Sequence, residues 1–299
     1  MEVCGVDTRE VQDDWRGRAS TAGGSNFKSN NPVHLVITKP LKVIALILET
    51  YMAISKEVKK EIEDYLTGVM DDKIENYEPE TSYAPFIASL IRDNTAVAAY
   101  SLIHSIQTSM GMSMYEQVSK IIADGAGFDR ADTQWKAPIG IARARIQMID
   151  QIVTDIRNGD RTADRQSEQN DILSINDVDR MNRKDGQTVD VHLVRGGREF
   201  WFDLKTVKPN APGFLDHKRK ILEWIARANQ PIVSAIVFPY NPYHPRRYQR
   251  AGFDVLSNDD VMIGSDYWDF LGGRGCYRQV LNSFNKVGKE KWPELEEMM

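Results

Sequence analysis

Residues 188–206 read TVDVHLVRGGREFWFDLKT, and this stretch decides the fold class. Val189, Val191 and Leu193 alternate with Asp190, His192 and Val194, the period of a strand with two unlike faces. Arg195-Gly196-Gly197-Arg198 then reads as a tight hairpin loop, because consecutive glycines accept the positive φ such a loop demands. Glu199 to Thr206, dense in aromatics, returns as a second strand. Residues i and i+2 of a strand share a face, so Asp203 and Lys205 project together while Leu204 turns into the core. A hairpin of two short strands folds Asp190 back beside Asp203.

Working outward, Phe214 to Ala228 has helical spacing, with Ile221, Leu222, Trp224 and Ile225 apolar, and Pro231 breaks it. Ile232 to Phe238 is a continuous apolar run, as expected of a buried strand. Upstream, residues 85–124 read as helix with a break at Gly111, and Ala96, Val97, Tyr100, Ile103, His104 and Ile106 crowd one side. His104 in that pattern predicts a core histidine rather than a catalytic one. Residues 139–157 form a further amphipathic helix that stops at Asn158-Gly159. The expected fold class is α/β (α+β), a helical N-terminal half packed on a mixed β-sheet core flanked by helices.

The chain has 299 residues, enough for one large domain or two modest ones. A net charge of −5 does not announce a nucleic-acid binder, although local patches decide such binding. Two cysteines, Cys4 and Cys276, exclude a zinc framework and fit a reducing cytoplasmic location. No run reaches the roughly 18 apolar residues of a membrane span, and the first 20 residues do not resemble a signal peptide.

Residues 1–51 are expected to be a disordered extension or the product of a start placed too early, since the composition changes sharply at Met52. Residues 52–160 are expected to be a helical region that contributes the first core helix, and 161–299 the sheet core with further C-terminal elements.

Asp190, Asp203 and Lys205 make a set with a definite use. Two carboxylates can hold Mg²⁺, a hard cation that takes oxygen ligands and keeps several waters. A lysine beside them can orient an attacking water and stabilise charge on a phosphoryl group. Asp-x-Lys on a strand is often only a surface ion pair of little consequence. Here Phe200, Trp201, Phe202 and Val207 flank it, and buried charges demand a reason.

Asp190, then Asp203-Leu204-Lys205, followed by a helix and a strand, resembles the PD-(D/E)xK nuclease superfamily, with Val189 where the signature has proline. Ser101 to Ser109, Gly111 to Glu116 and Asp203 to Asn210 resemble the TdeIII-type type II restriction endonucleases, over roughly residues 52–290. The resemblance implies a restriction-endonuclease-like core and Mg²⁺-dependent cleavage of double-stranded DNA at a short palindrome of the GGNCC kind. It also implies a homodimer with contacts from residues 52–160, a nuclease core over 161–299 with C-terminal DNA-contacting elements, and a companion DNA methyltransferase. Such cores often add an acidic residue from an earlier helix. Glu116 fits that placement, with Glu168 as the alternative.

Lys208, Lys218, Arg219 and Lys220 lie close in sequence to the proposed site, and Arg246, Arg247 and Arg250 follow the apolar strand among tyrosines. Lys208, Lys218, Arg219, Arg246, Arg247 and Arg250 are the candidate DNA contacts, weighed against a solvated basic surface. Two other readings share these residues: a structure-specific repair or junction nuclease, and a catalytically idle DNA-binding relative.

Overall fold

A computed structural model describes residues 54–78, 85–176, 179–205, 211–246, 248 and 255–297. The expected N-terminal extension, Lys208, Arg247 and Arg250 lie outside the described residues.

Nine helices and seven strands are described. The helices are α1 (Lys56–Asn76), α2 (Pro85–Ile91), α3 (Asn94–Ser109), α4 (Tyr115–Gly125), α5 (Arg143–Asn158), α6 (Arg165–Leu173), α7 (Ala211–Ala228), α8 (Ser265–Gly272) and α9 (Cys276–Glu297). The strands are β1 (Arg130–Lys136), β2 (Gly140–Ala142), β3 (Arg180–Asn182), β4 (Thr188–Arg195), β5 (Arg198–Leu204), β6 (Val233–Phe238) and β7 (Val261–Ile263). Five strands form one mixed sheet in the order β1-β4-β5-β6-β7. The β1–β4 and β4–β5 pairs are antiparallel, whereas β5–β6 and β6–β7 are parallel. β2 and β3 pair separately.

The hairpin forms as its sequence dictates. Gly196 and Gly197 have φ of 55° and 74°, the left-handed backbone that lets β4 turn directly into β5. Parallel neighbours need a crossover, and α7 supplies it between β5 and β6. On one face Val191, Leu193, Phe200, Phe202 and Leu204 pack with α1, α4, α8 and α9. On the other, Trp201 packs with Leu222, Trp224 and Ile225 of α7 and with α5 and α6. Each large apolar side chain so buried contributes roughly 1.5–3 kcal/mol, which makes the hairpin a rigid platform.

The structure differs from sequence expectation in three places. β1 arises within the segment expected to be helical, so the division at residue 160 does not separate helices from sheet. In α3 the buried residues are Val97, Ala98, Ser101 and Leu102, whereas Tyr100 and Ile103 are exposed. His104 is therefore not a core residue: it lies on the exposed side, its ring stacked on Tyr100 with centroids 6.0 Å apart. Among the described residues no helix is long and apolar enough to cross a membrane.

Candidate active site

β5 ends at the carboxyl side of the sheet, beside the end of β6, where open α/β sheets place ligands. Asp203 sits there with its side chain 1% exposed. Lys220, from α7, donates to Asp203 Oδ1. Lys205 Nζ is 2.9 Å and His217 Nδ1 3.4 Å from Oδ2. These two contacts are ion pairs rather than well-aligned hydrogen bonds, so the buried oxygen is matched by charge but not by a directed donor. Asp190 Oδ2 accepts the Leu204 backbone N–H at 2.8 Å, and Lys205 Nζ lies 3.9 Å from the same oxygen. The hairpin thus brings Asp190, Asp203 and Lys205 together.

Glu116 joins them from α4. Its helix is fixed by Tyr267 of α8, which donates to Ser119 at 2.8 Å. Glu116 is 4% exposed, close enough to Asp190, Asp203 and Lys205 to feel their charges. Gln134 donates to Glu116 Oε1 at 2.8 Å. That contact depends on a break in β1. Gln134 has φ of 51°, in the left-handed region. Asp132 Oδ2 lies 3.1 Å from His192 Nδ1, and the Trp135 ring stacks on the same imidazole at 4.1 Å. Residues i and i+3 cannot share a face in a regular strand, so the alternation flips at Gln134. Strain of this kind costs about 1–3 kcal/mol and collects at functional sites.

The carboxyls titrate apart. Burial raises the Asp190 pKa, and the Asp203 charge raises it further, against Lys220 and Lys205. Burial also pushes Asp203 up, but His217, Lys220 and Lys205 more than offset it and hold it well below the carboxylate range. Burial, aided by Asp190 and Asp203, pushes Glu116 up to about 7, with Gln134 and Lys205 opposing. Acid–base sites commonly part their carboxyls in this way.

The donor set fits a hard dication. Among the described residues no three Asp, Glu, His or Cys side chains converge tightly enough to grip an ion as they stand. Mg²⁺ needs only one or two carboxylates, because it keeps its waters. The buried Asp203 Oδ2, held by Lys205 and His217 through charge and by no aligned hydrogen bond, keeps a lone pair that such an ion would use.

Other sequence candidates fall elsewhere. Glu168 and Lys218 are both wholly buried and paired with each other. Lys218 Nζ also lies 2.8 Å from Asp260, which binds Arg165 at 2.8 Å. This network ties α6 and α7 to the segment before β7. It removes Lys218 from any DNA surface and leaves Glu168 engaged away from Asp203. Arg219 pairs with Asp150 of α5. Arg246 is exposed in the turn after β6. The assignments of His217 and Gln134 were not anticipated. His217 and Lys220 stand at i and i+3 of α7, a spacing that does mark one helix face.

A family model described as type II restriction endonuclease, HinfI, matches residues 51–288. The chain belongs to the HinfI family. This HinfI-family chain is 25% identical over 211 residues to the type II restriction enzyme MjaII of Methanocaldococcus jannaschii. That match covers 64% of the chain and 55% of MjaII, so the chain spans about half the length of that relative. It is 22% identical over 288 residues to HgiEI and 23% over 274 residues to HgiCII, type II restriction enzymes of Herpetosiphon aurantiacus. These cover 83% and 82% of the chain, and 99% and 98% of the two enzymes. No solved structure matches the HinfI-family chain significantly. The type II restriction endonuclease reading thus holds at the level of the family, with HinfI as that family.

Proposed function

We propose that the protein is a type II restriction endonuclease with a PD-(D/E)xK-like core. It hydrolyses phosphodiester bonds of double-stranded DNA with Mg²⁺, in the cytoplasm, at a short palindromic site. The observation that carries this reading is the group at the end of β5, the buried Asp203 with the half-buried Asp190 and Lys205 beside it, Lys205 Nζ lying 2.9 Å from Asp203 and 3.9 Å from Asp190. Asp190 and Asp203, with Glu116 beside them, would hold the ion. When bound, Mg²⁺ supplies neutralising charge at the phosphate and an acidified water.

The chain's own residues do the rest. Lys205 spans both aspartates and presents N–H donors where negative charge grows on the phosphoryl oxygens. Glu116, at about 7, can take up a proton near neutral pH. Gln134 holds its carboxylate in one orientation. Arg246, exposed in the turn after β6, and Arg219, once freed from Asp150, are the candidate DNA contacts that stay accessible. The GGNCC-like target follows from the TdeIII-type resemblance. A palindrome is cut on both strands most simply by a homodimer, and such an enzyme works with a DNA methyltransferase that protects host sites.

The test is a plasmid digest with Mg²⁺, run beside Asp203→Ala, Lys205→Ala and a chelated control. Cleavage by the wild type alone is expected. Wild-type cleavage by Asp203→Ala would overturn the assignment.

A further inference from the structure

Lys220 has no role in the mechanism above, yet it makes the direct contact to Asp203 Oδ1. Three basic side chains, Lys205, His217 and Lys220, crowd this one buried carboxylate. Facing them are Asp203 itself, Asp190 and Glu116. Adding a dication to that set leaves positive charge in excess, which only an anion can match. The anion at hand in the proposed reaction is DNA phosphate.

We propose that Lys220 is a second catalytic lysine, which pairs with Asp203 in this structure and moves to a phosphate oxygen at the cleavage point when metal and DNA bind. This rests on the nuclease reading. The helix cannot supply the movement, because Lys218 two residues earlier is wholly buried between Glu168 and Asp260. The side chain can. Lys220 is 24% exposed, and a lysine carries its charge on a flexible four-carbon stem. Its Nζ lies 5.0 Å from the centroid of the Trp224 ring, which steadies the ammonium within the site as it leaves Oδ1.

Lys220→Met and Lys220→Arg are compared with the wild type and Asp203→Asn, all full length. Ca²⁺ titrated calorimetrically onto the DNA-free protein binds several-fold tighter to Lys220→Met, since nothing competes for Asp203. A duplex carrying the mapped cleavage site is then bound with Ca²⁺ across a salt series. The log–log salt slope falls by about 0.9 in Lys220→Met and stays unchanged in Lys220→Arg. Single-turnover cleavage with Mg²⁺ falls on the order of 100-fold in Lys220→Met, and Lys220→Arg recovers most of it. Should the Met variant fail to fold, Lys220→Gln carries the same expectations.

Lys220→Met that cuts and keeps the wild-type salt slope, while Asp203→Asn is inactive, overturns the inference and leaves the nuclease reading standing. Equal loss in Met and Arg with an unchanged slope overturns it too, and makes Lys220 structural. If Asp203→Asn cuts like the wild type, the site reading fails first.

Discussion

Glu116→Gln should stabilise the protein while disabling it, and the gain should depend on pH. Glu116 is 4% exposed, and its pKa stands at about 7 against an ordinary 4.5. Between those values the folded protein holds a proton that the unfolded chain has released. Stability is therefore full below about 4.5 and is lost as pH rises through about 7. At roughly 1.4 kcal/mol per tenfold in proton affinity, the penalty above neutrality comes to about 2–4 kcal/mol. Glutamine is neutral throughout and can still accept from Gln134. At about pH 8 the variant should be more stable by that amount, which for a protein of this size raises the midpoint by roughly 4–16 °C. Near pH 4.5 the two proteins should melt together. Urea unfolding of metal-free protein at both pH values measures the difference. A gain equal at both, or a loss at pH 8, would refute the reasoning. Cleavage should fall in the same variant, since a group kept for chemistry is held against stability.

Lys218→Met should cost about 3–5 kcal/mol, because it leaves Glu168 and Asp260 buried without their shared cation, and chemical denaturation would show it. Gln134→Gly relieves the strain at a φ of 51°, about 1–3 kcal/mol, but adds roughly 0.5–1 kcal/mol of chain entropy and loses a hydrogen bond of about 1 kcal/mol, so urea unfolding should show a change of about 1 kcal/mol or less. Loss of the amide on Glu116 should lower cleavage by roughly 10–100-fold in a Mg²⁺ titration. Gly197→Val forces a β-branched residue to a φ of 74° and should cost about 1–2 kcal/mol in thermal unfolding. Cleavage below the melting range should be unchanged, because the turn lies at the other end of the hairpin from Asp203.

The hairpin was legible because its signals agree: alternation in residues 189–194, two glycines in the loop, and aromatic density in 200–202. The same agreement placed Asp190, Asp203 and Lys205 on one site. β1 was not legible. Of Arg130–Lys136 only Ala131 is buried, and the flip at Gln134 breaks the period that marks a strand. The run Lys218-Arg219-Lys220 reads as a basic surface, yet successive helical residues lie about 100° apart. Lys218 turns to buried carboxylates, Arg219 to Asp150 and Lys220 to Asp203. Composition cannot separate those fates, because they depend on what packs against each side of α7. Sequence favours Glu116 over Glu168 only slightly, through its place on an earlier helix, and tertiary packing sets one beside the aspartates and the other against Lys218.

The most direct test of the account is to sequence the ends of DNA fragments released by the purified protein with Mg²⁺. The account predicts discrete fragments whose ends share one short palindromic sequence, and none with Asp203→Asn. Ends scattered over unrelated sequences, or identical fragments from the variant, would contradict it.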